Sequence, residues 1–69
     1  MRNLSVGEHV VLTRDCCPDV FTTIRKGTRG VVIKATTSFI YGMEYKVRFD
    51  GIRDAVTISH DLASKIFNV

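Results

Sequence analysis

Sixty-nine residues, 45% of them apolar and 25% charged, with one Pro and five Gly, describe one small globular domain. A chain this short buries only about 60% of the surface its unfolded form exposes, which leaves one modest core and excludes enzymes that need two lobes around a cleft. Ten Lys/Arg against seven Asp/Glu give a net charge of +3, a bias that favours anionic partners without the clustering usual in dedicated nucleic-acid binders.

No stretch approaches the ~18 consecutive apolar residues of a membrane helix, and Met1 to Val6 lacks the apolar run of a secretory signal. The expectation is a soluble, cytoplasmic protein with no membrane partner. Cys16 and Cys17 are adjacent. Neighbouring Cα atoms lie about 3.8 Å apart whereas a relaxed disulfide spans roughly 4.4–6.8 Å, so two free thiols in a reducing compartment are expected.

The pattern is strand-like from end to end. A first strand follows Gly7, with Val10 and Leu12 on one face and His9, Val11 and Thr13 on the other. From Arg14 to Gly27 runs an unusually long connection, in which Cys17-Pro18-Asp19 disfavours helix and Val20, Phe21 and Ile24 are expected to pack onto the core. A second strand spans Thr28 to Ala35, with Val31 and Ile33 inward and Lys34 outward. The third has the clearest alternation: Met43, Tyr45, Val47 and Phe49 face one way, Glu44, Lys46 and Arg48 the other. Asp50-Gly51 predicts a tight hairpin into a fourth strand over Ala55 to Ile58, with Val56 and Ile58 inward.

The end of the chain is ambiguous. Leu62, Ala63, Ile66 and Phe67 sit at helical spacing behind Ser59, a suitable cap, but a helix this short is marginal alone. A 3₁₀ turn over residues 59–63 and a last strand over residues 65–67 is the preferred reading, because a fifth strand helps cover the sheet's open edges. The expected architecture is therefore all-β: a strongly bent, five-stranded barrel with a long first loop and a 3₁₀ or short helical turn near the C-terminus. Its interior is predicted from Val10, Leu12, Ile24, Val31, Ile33, Tyr45, Val47, Phe49, Val56, Ile58, Leu62 and Ile66. So small a core makes self-association plausible.

Three segments carry a resemblance: Gly7-Glu8-His9-Val10, Gly27-Thr28-Arg29-Gly30-Val31-Val32 and Tyr45-Lys46-Val47-Arg48-Phe49-Asp50-Gly51. Together they resemble the SH3-like barrel proteins, above all an uncharacterised bacterial group with a Val-Val-Leu-Thr start, here Val10 to Thr13, and a Lys-Gly-x-x-Gly-x-Val turn, here Lys26 to Val32. The motifs are turn glycines and core positions, so the resemblance implies a fold more than an activity. Val47 to Asp50 is similar to a Val-Arg-Phe-Asp of the ferredoxin-docking subunit of photosystem I, without the Asn-rich stretch that follows there. Val56-Thr57-Ile58-Ser59 matches the Val-Gln-Ile-Tyr strand of the plasmid-type dihydrofolate reductases, with Thr57 and Ser59 in place of the ligand-binding Gln and Tyr. Gly27-x-x-Gly30-x-Val32 resembles the KOW motif of ribosomal and transcription-factor barrels.

Two surfaces stand out. Phe39, Ile40 and Tyr41 fall in the loop between the second and third strands, where no alternation buries all three; an exposed cluster there suits a protein partner or a second copy. The competing reading is a longer hairpin whose strands run through these positions. Lys34, Lys46 and Arg48 share the outward parity of adjacent strands, and Arg25, Lys26 and Arg29 flank the entry to the second, so a basic patch could hold phosphates. The bland alternative is a solvated face balanced by Glu44, Asp50 and Asp54. No zinc-ligand spacing, assembled catalytic group or cofactor loop is present, and His60 and Asp61 read as a cap and a surface residue. The leading expectation is a non-catalytic accessory or regulatory module that binds another protein or itself, needing no cofactor or metal. The alternative is an RNA-binding barrel, and the third reading an oligomeric, pore-type reductase-like enzyme.

Overall fold

A computed structural model describes residues 3–40 and 42–68. Six strands precede one helix: β1 (His9–Val11), β2 (Cys16–Asp19), β3 (Thr22–Ile24), β4 (Arg29–Ser38), β5 (Gly42–Phe49), β6 (Val56–Ser59) and α1 (His60–Ile66). β1, β4, β5 and β6 form one antiparallel sheet in that order, and β2 and β3 form a separate two-stranded sheet. The chain is thus mostly strand, as its alternation predicts, with one short helix, and its strands form two separate sheets instead of closing into the expected five-stranded barrel. No helix among the described residues is long and apolar enough to cross a membrane.

The core follows the expected parity on β1, β5 and β6. Val10, Leu12, Tyr45, Val47, Phe49 and Ile58 are buried together with Ile24 and Ile66, and Val56 packs against them half-buried. On β4 the expectation of Val31 and Ile33 inward is wrong. Val32 is fully buried, Val31 is half-buried and Ile33 is 41% exposed. Val31-Val32-Ile33 is apolar at every position, so its sequence holds no parity signal. The decision comes from packing: buried Gly30 lies over Val47 and Phe49, which turns Val32 inward with it. At Ile33 the register slips, because Val32 opposes Val47 while Lys34 opposes Lys46. This bulge reverses the parity, so that Ala35, opposite Tyr45, becomes the core-facing position.

The long connection is a hairpin rather than a loop. β2 and β3 pair with an irregularity between Cys16 and Asp19, and Ile24 is buried as expected. Val20 and Phe21, expected to pack down, instead occupy the hairpin tip and are 90% and 94% exposed. Between β5 and β6 the turn at Asp50-Gly51 is present, with Ile52 N–H donating to the Phe49 carbonyl at 3.1 Å. The chain then runs on through Ala55 before β6 starts, so the connection is longer than a tight hairpin.

The preferred turn-plus-strand ending is corrected to a helix followed by a single bridge. Ser59 Oγ accepts from Leu62 N–H at 3.3 Å, and Asp61 and Lys65 complement the helix ends. Ala63 and Ile66 take the buried face, which leaves Leu62, expected inside, 41% exposed. Phe67 then bridges Leu12, and Asn68 N–H reaches the Val11 carbonyl at 3.0 Å while Thr13 N–H reaches the Ile66 carbonyl at 2.7 Å. The chain end thereby covers the outer edge of β1. Leu4 joins the core without any periodic signal to announce it, and Phe67, at helical spacing but outside the predicted interior, joins it as well.

The buried Tyr45 hydroxyl ties three segments together. Leu4 N–H donates to it at 3.2 Å, and it lies 2.8 Å from His60 Nδ1. Both partners are satisfied when the hydroxyl proton goes to Nδ1, which leaves the His60 proton on Nε2. His60 is therefore a core-anchoring residue, and the cap is Ser59.

Candidate functional site

Phe39 and Ile40 form the tip of the β4–β5 hairpin. Both strands run further than their alternation suggests, to Ser38 and from Gly42, and these two residues pair directly. Gly42 takes a φ of +74°, which lets the chain reverse over so few residues. Phe39 is 105% exposed and Ile40 78%. Strand extension and an exposed tip thus coexist, since the added strand length carries the apolar residues away from the core. Tyr41, the third member of the expected cluster, lies outside the described residues.

The four-stranded sheet gathers most of the expected basic residues on its outer face. Lys34 sits directly opposite Lys46, Lys46 opposite Thr57, and Arg48 opposite Val31. Arg29 has the same outward parity as Val31 and opens β4 at the end of this face. Arg25 and Lys26 are exposed but occupy the turn before β4, closed by Thr28 N–H to the Arg25 carbonyl at 3.1 Å. The Lys26 N–H also donates to Asp15 Oδ1 at 2.8 Å. These two residues therefore lie in the turn that precedes β4 and not on the sheet face. Lys34, Lys46 and Arg48 have no ion-pair partner among the described residues. Glu44, opposite Thr36 and Ser59, is the carboxylate on the same face, and Asp50 follows the end of β5.

An open groove of about 690 Å³ runs between β6, the 50–55 connection and the β2–β3 hairpin. Val56, Thr57, Ile52, Leu62, Cys16 and Cys17 contribute to its walls. Sequence reasoning does not find this groove, because its two sides come from segments some 40 residues apart and nothing in either announces the other. Both cysteines are free thiols. Burial, and then the neighbouring Cys17, pushes the Cys16 thiol above its ordinary value, which keeps it protonated and a poor nucleophile. Cys17 is exposed, with Sγ 3.7 Å from Thr23 Oγ1. Among the described residues no three His, Cys, Asp or Glu side chains converge as a metal-ligand set. Of the residues aligned with the reductase strand, Thr57 is exposed on the outer face and Ser59 is used as the helix cap.

Comparison with protein-family models, curated proteins and solved structures finds no match for this chain.

Proposed function

We propose that the chain is a non-catalytic protein-binding module, an accessory or regulatory domain on an SH3-like barrel. The observation that carries this reading is the exposed Phe39-Ile40 tip, held clear of the core by a paired hairpin. Large apolar side chains presented this way lose contact with water only against a partner. Support for the barrel comes from the Leu12–Phe67 bridge, through which the segment after β6 returns to β1. A cytoplasmic location goes with this reading, since two free thiols suit a reducing compartment.

The test is affinity purification of the tagged chain beside a Phe39→Asp/Ile40→Asp variant. The native chain recovers a stable partner, or itself, and the variant loses more than about tenfold of that recovery, as removal of an aromatic anchor does. Its stability stays within about 0.5 kcal/mol of native, because neither side chain contributes to the core. Recovery of nothing by the native chain, or equal recovery by the variant, ends the proposal.

A second reading, nucleic-acid binding, is favoured by the direct opposition of Lys34 and Lys46. Like charges on facing positions of a sheet destabilise it, and an anion laid across them removes that repulsion. Two effects of opposite sign are expected from Lys34→Glu. Stability rises by about 0.2–1 kcal/mol as a repulsive pair becomes an attractive one, and retention on mixed oligonucleotides at low salt disappears. A native chain that is not retained at low salt eliminates this reading.

A further inference from the structure

The two outer edges of the four-stranded sheet are treated differently. On β1, the Val11 carbonyl and the Thr13 N–H, which point away from β4, are taken up by Asn68 and Ile66. On β6 the orientation follows from the ladder. Asp50 N–H bonds the Arg29 carbonyl, so in the register of β4 and β5 the residues of β5 that face β4 are Arg48, Lys46 and Glu44. Tyr45 and Val47 then serve β6, through Ile58 and Val56, and Thr57 directs its N–H and carbonyl outward into the groove. No described residue pairs with that edge; the β2–β3 hairpin across the groove belongs to a separate sheet. β6 is only four residues long, but Val56-Thr57-Ile58-Ser59 carries no Lys, Pro or bulge, the other devices with which proteins blunt an open edge.

We infer that the groove receives one extended strand of a partner protein, added antiparallel to β6, in which apolar residues alternate with acidic ones. This inference rests on the protein-binding reading and names a second surface for it. Strand alternation and charge fix the partner's chemistry. Side chains of the added strand that point inward meet the apolar Val56, Ile52, Leu62 and Cys16, in a groove that Arg53, Asp54 and Thr22 also line. Those that point outward continue the basic face, next to Thr57, which opposes Lys46, which opposes Lys34. Thr57 is short, so a carboxylate beside it lies within reach of the Lys46 ammonium across one strand spacing of about 4.8 Å on either side.

A second copy fits this edge poorly. Two β6 strands paired about a two-fold axis would bring Thr57 against Thr57 and set the Lys46 of each copy beside the junction, with each chain carrying +3. An acidic strand neutralises the face that a second copy would reinforce.

The probe is a capped six-residue peptide of alternating Glu and Val, titrated into the isotope-labelled chain and followed by amide NMR shifts. Saturable shifts are expected at residues 55–59 and at Lys46, and the matching Lys-Val peptide binds at least about tenfold more weakly. Thr57→Pro removes the outward N–H without removing a bond to β5, and it weakens peptide binding by about tenfold, one edge hydrogen bond. Should that variant not fold, N-methylation of the peptide's Glu residues makes the same test on the unaltered chain, with the same expected loss. Absence of saturable shifts at residues 55–59, equal binding of the two peptides, or indifference to N-methylation overturns the inference. So does a concentration-dependent dimer that Thr57→Pro dissolves, since the edge then belongs to a second copy. Loss of partner recovery by the Phe39/Ile40 variant is independent of every one of these readouts, so the two proposals fail separately.

Discussion

Gly30→Ala destabilises the domain by about 1–3 kcal/mol, the range for forcing a methyl group into a filled core. A chain of this size shows such a loss as a fall in Tm of roughly 4–8 °C per kcal/mol. The Cβ added at this position would lie 2.8 Å from Val47 Cγ1, 2.9 Å from Phe49 Cδ1 and 3.2 Å from the Arg48 carbonyl oxygen. Val47 is fully buried and Phe49 nearly so, so neither can swing away cheaply. The mechanism is steric, and a double variant isolates it. Adding Val47→Ala to Gly30→Ala removes the nearest clash, so the pair loses measurably less than the sum of the single losses. Gly27→Ala supplies the contrast: it meets nothing within 4 Å, and its penalty arises only from a φ of +90°. Additive losses for the Gly30/Val47 pair, or a Gly30→Ala chain as stable as native, would contradict this packing of β4 on β5.

Phe67→Ala has the larger effect. Truncating a buried aromatic costs about 3–5 kcal/mol, against a total stability of about 3–10 kcal/mol for a domain of this length. Phe67 is 6% exposed, its ring centroid stands 6.1 Å from that of Phe49 at a tilt of 42°, and its backbone bridges Leu12. The side chain anchors the segment that covers the outer edge of β1. Denaturation of Phe67→Ala is expected at or below 37 °C, with Phe67→Leu intermediate because it keeps apolar volume under the bridge. Amide exchange at Thr13 and Asn68 reports the same event locally: both donors bond across this seam, and both lose protection in Phe67→Leu before the β4–β5 ladder does. Unchanged protection at these two amides would mean that the ring does not hold the seam closed.

How far each element can be read from the chain depends on how its neighbours constrain it. β5 is plain because Glu44, Lys46 and Arg48 alternate with Met43, Tyr45, Val47 and Phe49, so a one-residue slip would bury three charges. β4 lacks that penalty through Val31-Val32-Ile33, and its facing is settled by a glycine and a bulge that act only when β5 is alongside. Cys16-Cys17-Pro18-Asp19 has no alternation and its Pro-Asp reads as a turn, so its pairing with β3 is invisible locally. At the C-terminus the helical spacing and the need to cover a sheet edge look like rivals, yet the chain meets both, with seven helical residues and then one bridging residue. Of the candidate surfaces, the basic face follows from strand parity, and the apolar tip follows from a run that alternation cannot bury. The groove beside β6 needs two distant segments in place before it exists.

Composition and alternation alone determined the all-β character, most of the core and the sign of the outer face, because a strand's period of two sorts side chains before any tertiary contact forms. Only the tertiary structure decided which way β4 faces, why a side chain at Gly30 meets a filled core, how Tyr45 joins Leu4 to His60, and which sheet edge is left open. Those features depend on distances between residues far apart in the chain, and such distances are set by close packing rather than by local pattern.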